Sequence, residues 1–139
     1  MKPTRNQLRM SRCWERVTGL LDRQKDMAPA YHAAIKKLVS HTCTDGLEMA
    51  LLFLRSRGSP PAKQAYKDIS DCCSDAGLST GDILEWLRTH SDRAAAMRIT
   101  REVVEIAGVL SLLLRGKGVK PEDADEDEHQ PPEQAPAAS

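Results

Sequence analysis

Three groups of residues in this 139-residue chain carry side chains able to do chemistry. The first has metal-ligand types: His41 and Cys43, the adjacent pair Cys72 and Cys73, and His90. A structural zinc needs four ligands converging tetrahedrally, and neither Cys-x2-Cys nor His-x3-His occurs. Adjacent residues on a helix point about 100° apart, so Cys72 and Cys73 are poorly placed to share one ion. No metal is therefore expected, and Cys13, Cys43, Cys72 and Cys73 read as small core-filling thiols, reduced in a cytoplasmic or nuclear setting. The second group is His32, His41 and His90, each a general base by type. No Ser or Cys in a nucleophile-like turn accompanies them, and Gly116 and Gly118 follow a helical pattern where a phosphate loop would follow a strand. They read as surface or boundary histidines, and neither a catalytic residue nor a cofactor is expected.

The third group is cationic. Residues 1–40 hold nine Lys/Arg against three acids. Arg5, Arg9, Arg12, Arg16, Arg23, Lys36 and Lys37 are the candidates to meet an acidic protein or the phosphates of a nucleic acid. The competing reading is a solvated face that confers solubility. Against nucleic acid stands the lack of interleaved aromatics and of a recognition motif.

The net charge of zero conceals opposite ends. Residues 1–118 carry 19 Lys/Arg against 13 Asp/Glu, whereas residues 119–139 carry one Lys against seven acids. The latter stretch is also rich in Pro and lacks large apolar side chains, so it cannot bury enough surface to offset its ordering entropy. The expected organisation is one domain over residues 1–118 and a disordered acidic tail over 119–139. Val103 to Leu114, interrupted by Glu105, is well short of the ~20 apolar residues of a membrane span, and no transmembrane helix is expected.

The elements that must position these groups are helices. Aromatics are only 4% of the chain, and apolar residues recur at spacings of three and four, never with a sustained period of two. Six helices are expected. The first has Thr4 as cap and runs to about Asp26, with Met10, Trp14, Val17 and Leu21 facing the core, Cys13 and Leu20 beside them and the arginines off that stripe. The second starts near Pro29 and carries Tyr31, Ile35, Leu38 and Val39. The third, Leu47 to Arg57, is apolar on nearly every side and so expected to be buried, with Gly58 as its stop. The fourth begins at Pro61 and ends at Gly77, the short fifth opens on a box of Ser79 and Asp82, and the sixth runs from Asp92 to Arg115 with Ser91 as cap. The fold class is all-α, a compact bundle of about six helices.

The segment Leu51 to Gly58, followed by a helix carrying Ala65, Tyr66 and Ile69, resembles the late helices of caspase-recruitment domains over about 25 of the 139 residues. Six helices is also the count of death-fold domains, and the helical content is similar to that of small Bcl-2-like regulators. With no catalytic constellation, the expected function is a non-catalytic protein–protein interaction module, an adaptor or regulator. The alternative is salt-dependent RNA or DNA binding by the basic N-terminal surface, modulated by the acidic tail. The expected partners are a protein first and nucleic acid second, with self-association compatible with either.

Overall fold

The computed structural model describes residues 2–90 and 92–122; the acidic stretch expected to be disordered falls, from residue 123 on, outside the described residues. Six α-helices form as the periodicity requires, with no strand among the described residues. Helix α1 (Arg5–Arg23) opens on a capping box: Gln7 N donates to Thr4 Oγ1 at 3.1 Å while Thr4 N donates to Gln7 Oε1 at 2.8 Å. A 3₁₀ turn, Lys25–Met27, leads into α2 (Ala28–Asp45), which has a proline in its first turn. Helix α3 (Leu47–Arg57) stops at Gly58, whose φ of 72° is the left-handed cap that a side chain would strain. Ser59 caps α4 (Pro60–Asp75), Asp82 caps α5 (Ile83–Thr89) and Asp92 caps α6 (Arg93–Gly116).

Helix α2 is the centre of the bundle. It packs against α3, α4 and α6, while α1 lies along α6 and touches α4. Tyr31, Ile35 and Leu38 of α2 meet Leu51 of α3, Ile69 of α4 and Ile99, Val103, Ile106, Leu110 and Leu114 of α6 in a single core. Cys13, Cys72 and Cys73 fill small gaps in it, whereas Cys43 is exposed.

Five expectations are corrected. In α1 Cys13, Val17 and Leu20 are buried as anticipated, but the fourth buried residue is Arg9, and Met10 and Trp14 face outward with Trp14 50% exposed. The cause is an ion pair of Arg9, described below. Helix α3 is buried only along Leu47, Ala50, Leu51 and Leu54, and it exposes Met49, Leu52 and Phe53, because α2 and α4 cover one side of it. The cap of α5 is Asp82 in place of Ser79: its two carboxylate oxygens accept from Glu85 N at 3.1 Å and from Tyr66 Oη at 2.7 Å, a second partner that Ser79 lacks. Asp92 likewise caps α6, with Ala94 N donating to it at 3.0 Å.

His32, expected at the surface, is fully buried. One ring nitrogen, Nδ1, lies 3.1 Å from Val119 O, and Nε2 lies 2.8 Å from Ser111 Oγ. The chain beyond Gly118 therefore does not leave the bundle at once. It passes over the start of α2, where Glu122 N donates to Pro29 O at 2.9 Å. His32 joins α2, α6 and this strap.

Two outcomes test this packing. Leu51→Ala should cost about 3 kcal/mol in urea denaturation, as expected for a fully buried leucine in a rigid environment, and Leu51→Asp should cost more because it buries an unpaired carboxylate. Burial, aided by Lys36 and Arg115, holds the His32 pKa below its ordinary 6.5 although the Val119 carbonyl opposes it. The unfolded chain then takes up the proton first, so stability should fall as pH drops from 6.5 toward the folded value. Stability measured against pH should lose that component in His32→Gln.

Candidate nucleic-acid interface

An arginine in the buried stripe of a helix needs a partner that removes the cost of its charge. Glu102, on α6, provides it for Arg9. Arg9 Nε donates to Glu102 Oε2 and Arg9 Nη2 to Glu102 Oε1, both at 2.8 Å, a two-pronged pairing that matches the planar guanidinium to the carboxylate. The residues are 8% and 6% exposed. Arg9 Nη1 also donates to Asn6 Oδ1 at 2.7 Å and lies 3.9 Å from Glu105 Oε1. The hydrogen bond from Arg9 holds the Glu102 carboxyl below its ordinary range against burial, and Glu102 in turn raises the Arg9 pKa.

A crevice of about 390 Å³ opens beside this pair, lined by Arg5, Asn6 and Arg9 of α1, Leu78, and Arg98, Arg101, Glu102 and Glu105 of α6. Arg5, Arg98 and Arg101 are exposed. With Arg9 and Glu102 neutralising each other, the crevice presents three outer guanidiniums against one outer carboxylate, Glu105. Such a cluster can hold a phosphate by charge and by directed N–H donors. The exposed Met10 and Trp14 lie on the same helix, where Lys117 Nζ sits 5.1 Å above the centre of the Trp14 ring.

The cations anticipated from sequence are dispersed by the fold. Arg5 lines the crevice, and Arg9 is locked inside the molecule. Arg12 Nη2 donates to Asp75 O at 3.3 Å, and Arg16 lies 3.7 Å from Asp68 and 3.4 Å from Asp75, so both are occupied in holding α1 to α4. Arg23 is exposed at the far end of α1, about 27 Å along the helix from Arg5 at the standard rise. Lys36 is exposed on α2, and Lys37 lines a separate cavity of about 200 Å³ with His41, Phe53 and Arg57. Arg98 and Arg101 were missed because α6 reads first as a core helix; their spacing of three, on the side opposite Ile99 and Val103, was the available signal. Among the described residues no group of three His, Cys, Asp or Glu is arranged to hold a metal ion, and His41, Cys43 and His90 are not brought together with Cys72 and Cys73.

The chain is thus a small all-helical bundle with an arginine-lined crevice along its longest helix. The family model described as CRISPR-associated protein (Cas_Cmr5) matches residues 5–110, from the start of α1 to within the last two turns of α6, and the chain belongs to that family. No curated protein and no solved structure gives a significant match. The family assignment overturns the expectation of a general adaptor or regulator and the likenesses to death-fold and Bcl-2-like proteins. Helical bundles of this size serve many functions, and helix count and a leucine-rich helix do not separate them.

The buried pair yields a prediction. Arg9→Ala should destabilise the protein by roughly 3–5 kcal/mol, because it strands the Glu102 carboxylate, whereas Arg9→Met with Glu102→Leu should recover most of that loss in a double-mutant cycle. The pH dependence follows from the lowered Glu102 pKa. The stabilisation is fully present above the unfolded carboxyl value near 4.5 and is lost as pH falls through the folded value. Acid unfolding followed by circular dichroism should show this component in the parent and not in the double variant.

Proposed function

We propose that this chain is a non-catalytic subunit of a multi-protein CRISPR effector complex, packed against other protein subunits and facing their RNA with the α1–α6 crevice. Membership of the Cas_Cmr5 family over residues 5–110 carries the reading. The crevice supports it, since Arg5, Arg98 and Arg101 form an exposed set of three guanidiniums on two adjacent helices. Its charged lining also contains the ion pair that fixes the fold, an arrangement suited to holding a polyanion in place. The contact is with backbone phosphates and hence independent of sequence. The partners are the proteins and RNA of the complex. The setting is the cytoplasm, and a nuclear one drops out with a CRISPR-associated family. No helix among the described residues is long and apolar enough to cross a membrane.

The test replaces Arg5, Arg98 and Arg101 together by alanine. All three are exposed, so melting temperature and helical circular dichroism should stay close to those of the parent. Affinity for single-stranded RNA should drop, and the slope of log K against log salt should become shallower by about 2, corresponding to roughly three released phosphate contacts. Capture of the tagged chain should recover protein subunits with their RNA from cells that encode it, and nuclease treatment should weaken that recovery. Unchanged RNA affinity in the folded triple variant would remove the crevice from the reading.

A further inference from the structure

Cys13 and Cys72 meet at the seam between α1 and α4, and neighbouring contacts set the register. Arg12, next to Cys13, reaches the backbone carbonyl of Asp75, and Arg16, one turn further along α1, reaches both Asp75 and Asp68. Cys72 lies one turn from Asp68 and three residues before Asp75, so these contacts bracket the two cysteines and place them opposite each other. Both are buried, at 0% and 1% exposure, in the same core, and each thiol lies in the electrostatic field of the other. Cys13 Sγ is also 3.8 Å from Ile106 O, which fixes its side chain at the junction with α6.

The two thiols are shifted in opposite directions. The neighbouring Cys13 thiol and the Arg16 guanidinium lower the Cys72 pKa despite burial, while the neighbouring Cys72 and burial push Cys13 up. Cys73, turned about 100° away around the helix, is pushed up to about 12 by burial. A low-pKa sulfur beside a second thiol is the arrangement of an attacking and a resolving cysteine.

We propose that Cys13 and Cys72 are a redox pair that hydrogen peroxide converts into a disulfide stapling α1 to α4. In the first step the Cys72 thiolate attacks a peroxide oxygen. The O–O bond breaks, Cys72 becomes a sulfenic acid, and the departing hydroxide leaves as water with the thiol proton. In the second, the Cys13 sulfur attacks the Cys72 sulfur. The S–S bond forms, the S–O bond breaks, and the hydroxide takes the Cys13 proton as a second water. The two sulfurs lose two electrons and the peroxide gains them; a dithiol reverses the change by thiol–disulfide exchange. Because both thiols are buried, the reaction proceeds through local opening of the α1–α4 seam and is slow compared with that of a surface thiol. The staple fixes the helix that carries Arg5 and closes a loop containing α2 and α3.

The experiment treats the full chain with hydrogen peroxide, blocks residual thiols and digests with trypsin without reduction. The expected product is the peptide of residues 13–16 linked to that of residues 68–88, lighter by two hydrogens than the pair and separated by dithiothreitol. The oxidised protein should melt several degrees higher than the reduced protein. Both effects should persist in Cys73→Ala and vanish in Cys72→Ala, whose small volume change leaves the fold in place. Absence of the cross-link, its persistence in Cys72→Ala, or linkage only between chains through Cys43 would each overturn the proposal.

Discussion

The buried pairing of Arg9 with Glu102 decides how α1 sits on the bundle. A helix carrying both an apolar stripe and several arginines has more than one rotation that buries comparable apolar area. Here one rotation also satisfies a buried guanidinium with a buried carboxylate in two parallel hydrogen bonds. Such a pair contributes little net stability over a well-packed apolar substitute, but an alternative rotation would leave Glu102 buried and uncompensated, which costs several kcal/mol. The pair acts as a register device. It turns Met10 and Trp14 outward, Cys13 inward toward Cys72, and Arg5 into line with Arg98 and Arg101.

A second polar node works in the same way two turns further along α1. Asp68 of α4 is 5% exposed and accepts from Tyr31 Oη at 2.6 Å and Gln64 Nε2 at 2.9 Å, with Arg16 nearby. Burial raises the Asp68 pKa even though these donors and the arginine oppose the shift, and burial raises that of Tyr31 further. Helices α1, α2 and α4 thus share one hydrogen-bonded carboxylate. With so few aromatic residues in the core, shape alone specifies helix orientation weakly, and these two buried carboxylates supply directional constraints that interchangeable Leu, Ile and Val contacts lack.

What was legible in the sequence was local. Thr4 and Gly58 act within a few residues of themselves, and the start of α1 and the end of α3 follow from them. The apolar spacing of α2 and α6 identified their buried sides because the stripes are wide and almost free of charge. Helix α1 could not be read that way. Its true stripe contains Arg9, and nothing within α1 announces that Glu102, 93 residues later, will neutralise it. The same pairing hid the crevice, since Arg98 and Arg101 gain meaning only when Arg5 lies beside them. The outward side of α3 was misread for a related reason: an apolar helix end to end implies full cover, yet Leu52 and Phe53 remain uncovered by this chain. The family was not legible at all, because cap and core patterns encode a bundle and not its partners.

Glu122, the first acid after α6, stands apart from the cationic crevice. The acidic end begins with Glu122, which the strap over α2 pins to Pro29 near where α6 has finished. Arg98 and Arg101 stand near the start of α6. At the standard rise, Arg101 and the end of that helix are about 22 Å apart, well beyond the ~8 Å screening length of physiological salt. The carboxylate of Glu122 therefore does little to cancel the field of the crevice. Because His32 holds Val119 on α2, the strap fixes this distance, and α6 serves as the spacer that keeps the cationic crevice apart from the point where the acidic sequence starts.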